Sequence, residues 1–188
     1  DEMLIAGTVR HPLAGLTGGG LTVEGSVEPG ENNSRFSQAS YGAHFCEVRV
    51  SAVTGETRVT RWNSVLAAGR ILNMKTATSQ AIGGIVFGIG CALTEDLIHD
   101  PRTGKVVNRD LGEYHLPIHA DIPAIDVLFL DERDPVANPL MVKGVGELGT
   151  CGSGAAVANA IYNATAVRVR DFPITLDKLL AGLPDSTV

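Results

Sequence analysis

The chain lacks the features that define several broad protein classes. Its three cysteines, Cys46, Cys91 and Cys151, are widely spaced and form no CxxC pair, which argues against a disulfide framework or a zinc ribbon. Buried reduced thiols are the expectation instead. Basic residues number 15 against 21 acidic ones and are interspersed with them. No cationic stripe exists to neutralise a run of phosphates, so nucleic acid is not an expected partner. No stretch approaches the ~20 uninterrupted apolar residues of a spanning helix. No basic segment leads into an apolar one either, so neither a membrane span nor an export address is expected within the chain. A cytoplasmic setting is the expectation and an exported complex the alternative.

What is present is a core-forming composition, 44% hydrophobic and 19% charged over 188 residues, with 22 glycines. One compact domain, or a large piece of one, is expected. The opening DEMLIAGTVRHP has no initiator Met and resembles mid-domain material, so the chain reads as a fragment of a longer subunit. Residues 1–40, rich in Gly, Ser, Asn and Pro, are expected to form an irregular lead-in, and residues 41–188 a single unit.

From Ala43 the runs HFCEVRV and TRVTRWNSV alternate in character and flank SAVTGE, the pattern of a β-hairpin. SQAIGGIVFGIGCALTEDLI follows, a long apolar run interrupted by Gly83, Gly84, Gly88 and Gly90. Each interior glycine costs a helix up to about 1 kcal/mol, so a helix here needs something packed close against it. LIHDPRTGKVVN resembles a second hairpin, and AIDVLFLDE a short buried strand. The alanines from Ala155 to Ala164 mark a close-packed helix, and Thr175 is placed to cap a last helix with Asp177 in its first turn. Helices and antiparallel hairpins mix without regular βαβ alternation, so the fold class is α+β.

KGVGELGTCGSG, Lys143 to Gly154, contains the glycine spacing of a dinucleotide-binding turn. The preceding apolar stretch LMV is too short for its first strand, and Glu147 sets negative charge where a pyrophosphate belongs. Two readings stay open on the residues alone. The glycines can serve a tight connection into a helix. Alternatively, the turn presents Glu147 in small, apolar surroundings, where poor solvation favours a general base.

The order and spacing of YGAHFCEVRVSAVTGETRVTRWNSVLAAGRILN, SQAIGGIVFGIGCALTEDL, EYHLPIHADIP, KGVGE and RVRDFPITLDKLL resemble the xanthine dehydrogenase and aldehyde oxidase family over roughly residues 40 to 183. The matching region is the C-terminal portion of the molybdenum-binding region of a molybdenum hydroxylase. The resemblance implies a molybdopterin-type molybdenum cofactor, plain or dinucleotide, with Glu147 as catalytic base. Gly144, Val145 and Gly146 would lie against the pterin and Gln80 would hydrogen-bond the cofactor. No residue of this chain is implied as a metal ligand.

The implied activity is oxidation of an aldehyde or N-heterocycle with water-derived oxygen. Electrons would leave through iron-sulfur clusters and FAD on partner domains or subunits, and the rest of the molybdenum-binding region would be a further partner. A non-catalytic scaffold that keeps the fold is the alternative. The chain departs from the family pattern at Ala67, Met74 and Phe87, where an acidic residue, proline and glutamine are usual. Lys143 carries no implied role; bracing the loop and touching the cofactor are both open. His44 reads as a structural histidine. His115 and His119 have Pro117 between them, against a helical metal pair. Ser153 lacks the GxSxG context of a nucleophile elbow, since Cys151 and Ala155 stand in the two glycine positions.

Overall fold

The computed structural model describes residues 3–6, 9–12, 22, 24–26 and 31–183. Residues 1–2, 7–8, 13–21, 23 and 27–30 of the Gly/Ser-rich lead-in are outside the described residues. The chain divides into two units, Asp1–Glu31 and Asn32–Val188. In the first, β1 (Met3–Ala6) and β2 (Val9–Pro12) pair antiparallel, with Met3 opposite Pro12 and Ala6 opposite Val9.

The second unit opens with a short helix α1 (Asn32–Arg35). The expected hairpin follows: β3 (Tyr41–Val50) pairs antiparallel with β4 (Thr57–Ala67), with a register shift at Glu47/Val48. Gly55 turns it at φ 75, a left-handed conformation that glycine adopts without steric cost. β5 (Ala124–Phe129) completes a three-stranded sheet, pairing parallel with β4 from Arg61↔Ala124 to Leu66↔Phe129.

This strand differs from its sequence reading. Ala124, Asp126 and Leu128 are exposed, and only Phe129 is fully buried. β5 lies at the sheet edge with one face covered, and the sheet is mixed rather than built from antiparallel hairpins alone.

The glycine-rich helix α2 spans Met74–Leu93, capped at its start by Asn73, whose side chain accepts from the Thr76 N–H. By length and composition α2 could cross a membrane, which the sequence reading did not expect of any stretch. Its Ala81, Ile85, Ile89 and Ala92 are instead buried in the core. Helix α3 (Ser153–Thr165) buries Val157 and Ile161. The last helix, α4, is shorter than expected at Leu176–Leu180, and Thr175 occupies its cap position without a side-chain capping bond. Trp62, Ile85, Ile89, Val157, Ile161 and Leu179 form the main core between the inner sheet face and the helices. The second expected hairpin is reduced to one bridge, His99 to Val106, about the turn at Gly104.

The three thiols are free, and only Cys46 is partly covered; Cys91 and Cys151 are exposed. The expectation of buried thiols fails for these two because one lies on the outer side of α2 and the other in the exposed turn before α3. Burial pushes the Cys46 thiol up to about 11.

Candidate active site

The face of α2 bearing Ala81, Gly84 and Gly88 receives the segment 149–153. A Cβ on Gly84 would stand 2.8 Å from the Thr150 nitrogen, and one on Gly88 would collide with the Ser153 side chain. Gly149 returns the approach, since a Cβ there would run into the Ala81 carbonyl. These glycines answer the sequence question of why an apolar helix carries them: they let the turn's backbone lie directly on the helix.

The turn is held mainly through its carbonyl oxygens. Ser40 Oγ donates to the Gly144 carbonyl at 2.6 Å, Gln80 Nε2 to Gly146 at 2.9 Å and His44 Nε2 to Leu148 at 2.9 Å. Ser153, fully buried, donates to the Gly149 carbonyl at 2.5 Å. The Glu147 carbonyl accepts from the N–H groups of Thr150 and Cys151. Among the described residues, the N–H groups of Gly144, Val145, Gly146 and Glu147 have no acceptor. The turn therefore keeps four backbone donors unpaired among the described residues.

Lys143 anchors the entrance to the turn. Its Nζ meets Glu132 Oε1 at 2.6 Å with the side chain only 8% exposed, and Asp134 lies at 3.8 Å. Glu132 Oε2 accepts the Gly69 N–H at 3.0 Å. The Lys143 hydrogen bond, then that of Gly69, holds the Glu132 carboxyl below its ordinary value. Backbone bonds from Lys143 to Ala68 and from Arg70 to Met141 complete the join to the end of β4. Of the two roles left open for Lys143, this geometry is bracing of the loop.

The structure thus joins Gln80 to the turn of Gly144, Val145, Gly146 and Glu147 through one bond, to the Gly146 carbonyl. It differs from the sequence reading in one respect: Glu147 is exposed, so this chain alone does not build the poorly solvating surroundings expected around the carboxylate. The dinucleotide reading fails on geometry, because Val142 makes a single bridge and no strand precedes the turn. Asp171, 22 residues after Gly149 where such a turn would need a ribose-binding carboxylate, pairs with Lys178 at 2.9 Å. His115 and His119 lie in irregular chain, and the described residues hold no group of three or more candidate metal ligands. Ser40, Glu132 and Ser64 are contributors that sequence reasoning missed. Ser40 and Glu132 bond groups 104 and 63 residues away, and nothing local marks any of the three.

A cleft of about 530 Å³ lies beside the turn, lined by Thr76, Ser79, Gln80, Gly83, Phe87 and Gly146 among others. A Cβ built on Gly83, Gly144 or Gly146 would meet no atom within 4 Å. Gln80 keeps its carbonyl oxygen and second N–H without partners among the described residues. Open glycine walls, backbone donors and a free amide together suit a polar heterocycle bearing phosphate. A more enclosed cavity of about 480 Å³ lies at the other end of α2, among Gly55, Leu93, Pro117 and Leu176, away from Glu147.

A cleft walled by a glycine-rich helix, beside a turn with free N–H groups, can hold a phosphate-bearing cofactor, and comparison with known proteins agrees. The molybdopterin cofactor-binding domain family matches residues 5–123. The aldehyde oxidoreductase molybdenum-binding subunit PaoC of Escherichia coli K12 is 53% identical over 98% of this chain. The crystal structure of quinoline 2-oxidoreductase from Pseudomonas putida 86 superposes with TM-score 0.69 at 30% identity, covering 77% of this chain and 18% of that one. The aldehyde oxidoreductase from Desulfovibrio gigas superposes equally, with TM-score 0.69 at 32% identity over 77% of this chain and 15% of its own.

The chain belongs to the molybdopterin cofactor-binding family, in its xanthine dehydrogenase and aldehyde oxidase branch. It spans about 25% of the length of PaoC. The family match ends at residue 123, before the Glu147 turn; the likeness to PaoC extends over that turn.

Proposed function

We propose that this chain forms part of a molybdenum hydroxylase that oxidises an aldehyde or an N-heterocycle with oxygen derived from water. The observation that carries the reading is the anchoring of the Gly144–Glu147 turn by Gln80, whose side chain holds the Gly146 carbonyl and shares an open cleft with Gly146. The molybdopterin cofactor, plain or dinucleotide, supplies the redox chemistry when bound. The N–H groups of Gly144, Val145 and Gly146 and the free amide atoms of Gln80 are the groups that would hold it. Gly83 keeps the helix wall flat enough to admit it.

Glu147 is the base of the reaction. Its carboxylate projects from a turn anchored through Gly144, Gly146 and Leu148, so it meets a proton from a fixed position. Proton transfer by a positioned carboxylate is worth about 10²–10⁴ in rate. Exposed in this chain, Glu147 becomes poorly solvated when the rest of the molybdenum-binding region closes over the turn. The iron-sulfur and FAD centres that carry electrons away belong to partner domains or subunits. A scaffold that had shed the chemistry has no need to retain both Gln80 and Glu147.

The test is the molybdenum and pterin content of the native assembly purified through this chain. Near-stoichiometric metal, with pterin fluorescence after oxidative denaturation, supports the reading. Persistent absence of both, in cells that make the cofactor, refutes it.

A further inference from the structure

His44 sits in β3 and, read alone, is a satisfied structural histidine. Its connections define something narrower. A carbonyl oxygen only accepts, so the 2.9 Å contact with Leu148 requires the proton on Nε2. In the neutral imidazole Nδ1 is then a bare acceptor and takes a hydrogen bond from the Ser64 hydroxyl at 2.7 Å. The Ser64 oxygen in turn accepts the Trp62 indole N–H at 2.8 Å. Trp62 and Ser64 are buried at 0% and 1% exposure, so neither exchanges its partner for water. The donor direction therefore runs one way, Trp62 to Ser64 to His44 to Leu148, and it ends one residue after Glu147. The imidazole also lies against the start of α3, where a Cβ on Gly152 would stand 3.5 Å from Cδ2.

We propose that His44 is a positioning residue for Glu147: Ser64 and Trp62 lock it in one tautomer, and it holds the Leu148 carbonyl and thereby the orientation of the turn. The inference rests on Glu147 acting as the base. Unlike Gln80 and Ser40, whose bonds to the turn are exposed, His44 ties the turn to the rigid sheet through buried groups. Its loss leaves the turn in place through Ser153 and frees the residues before it to rotate. A displacement of about 1 Å in a catalytic group can cost about 10²-fold in rate.

The test uses the assembled, molybdenum-loaded enzyme with benzaldehyde and ferricyanide as probe substrates, alongside hydrogen exchange of the peptide spanning residues 144–152. In His44→Asn the amide falls short of Leu148, whereas in His44→Gln the amide nitrogen extends to about the position of Nε2. His44→Asn is expected to lower kcat about tenfold or more with KM and molybdenum content unchanged. It should also speed exchange across 144–152 about fivefold while leaving the β3–β4 peptides unaltered. His44→Gln should restore both readouts. Parental kcat and exchange in His44→Asn, or equal damage in both variants, overturns the proposal.

If His44→Asn does not load molybdenum, Ser64→Ala carries the test, since it keeps the ring and removes its Nδ1 partner, along with the acceptor of the Trp62 indole N–H. Faster exchange across the turn is then required, and parental exchange overturns the proposal. Glu147→Gln, measured in parallel, separates the two inferences. Retained turnover there refutes the base, while the exchange arm still decides whether His44 holds the turn.

Discussion

Gly83 and Gly84 are adjacent on one helix, yet alanine at the two positions should act oppositely. Both substitutions gain the helix propensity of alanine over glycine, about 1 kcal/mol. A Cβ on Gly83 meets nothing within 4 Å, whereas on Gly84 it stands 2.8 Å from the Thr150 nitrogen and 2.9 Å from the Gly149 carbonyl carbon. Those are backbone atoms of a turn held from several sides, so they cannot swing aside like the end of a side chain. Overpacking of this kind costs about 1–3 kcal/mol, and the difference between the two variants isolates that term.

For a domain of this size each kcal/mol corresponds to about 2–4 °C in Tm. Gly83→Ala should therefore melt about 2–4 °C above the parent, and Gly84→Ala below Gly83→Ala by at least about 2 °C. Thermal unfolding followed by circular dichroism checks this. Equal shifts in the two variants, or a more stable Gly84→Ala, refute the packing of the turn on α2.

Other outcomes follow from single groups. Glu132→Gln leaves Lys143, 8% exposed, without its 2.6 Å partner. Breaking a fully buried pair costs about 3–5 kcal/mol; with Glu132 itself 25% exposed, about 1–3 kcal/mol is expected in urea denaturation. Because the folded Glu132 carboxyl is held below the ordinary value of 4.5, its contribution is complete above that pH. It disappears as pH falls through the depressed folded value, so the stability gap between parent and Glu132→Gln should narrow on acidification below about pH 4.5. A gap constant down to pH 3 contradicts the pairing. With a thiol-specific reagent at pH 8, the exposed Cys91 and Cys151 should react and Cys46, pushed up to about 11, should not; peptide mapping of the label decides.

Local patterns carried much of this fold, and long-range pairings did not. The β3–β4 hairpin was legible because alternation runs through both strands and a glycine marks the turn. The Ala-rich helix was legible from its spacing. The glycines of α2 announced a close neighbour without saying which, since the identity of Thr150 and Ser153 as that neighbour depends on how a segment about sixty residues later folds back. β5 looked like a buried strand because Ile125, Val127 and Phe129 are apolar, as is the exposed Leu128; only its parallel pairing at the edge of β4 shows which face is covered.

At the site, Gln80 and Glu147 came from the family resemblance, and the structure adds that Gln80 holds the carbonyl of Gly146, the residue before Glu147. The chains ending at Glu132 and His44 had no local signature. A salt bridge or carbonyl contact between segments some distance apart in sequence has no periodicity from which to read it. The exposure of Glu147 was misjudged for a related reason: a small, apolar turn lowers solvation only when something covers it, and this chain leaves that face open.

The most direct test of the central claim is turnover per bound molybdenum in Glu147→Gln, prepared in the full assembly. The substitution keeps the size of the side chain and removes its ability to take a proton. Near-normal molybdenum content with turnover reduced by about 10²-fold or more is the predicted result. Turnover per molybdenum close to that of the parent would remove Glu147 from the role of base, and with it the functional reading of the turn.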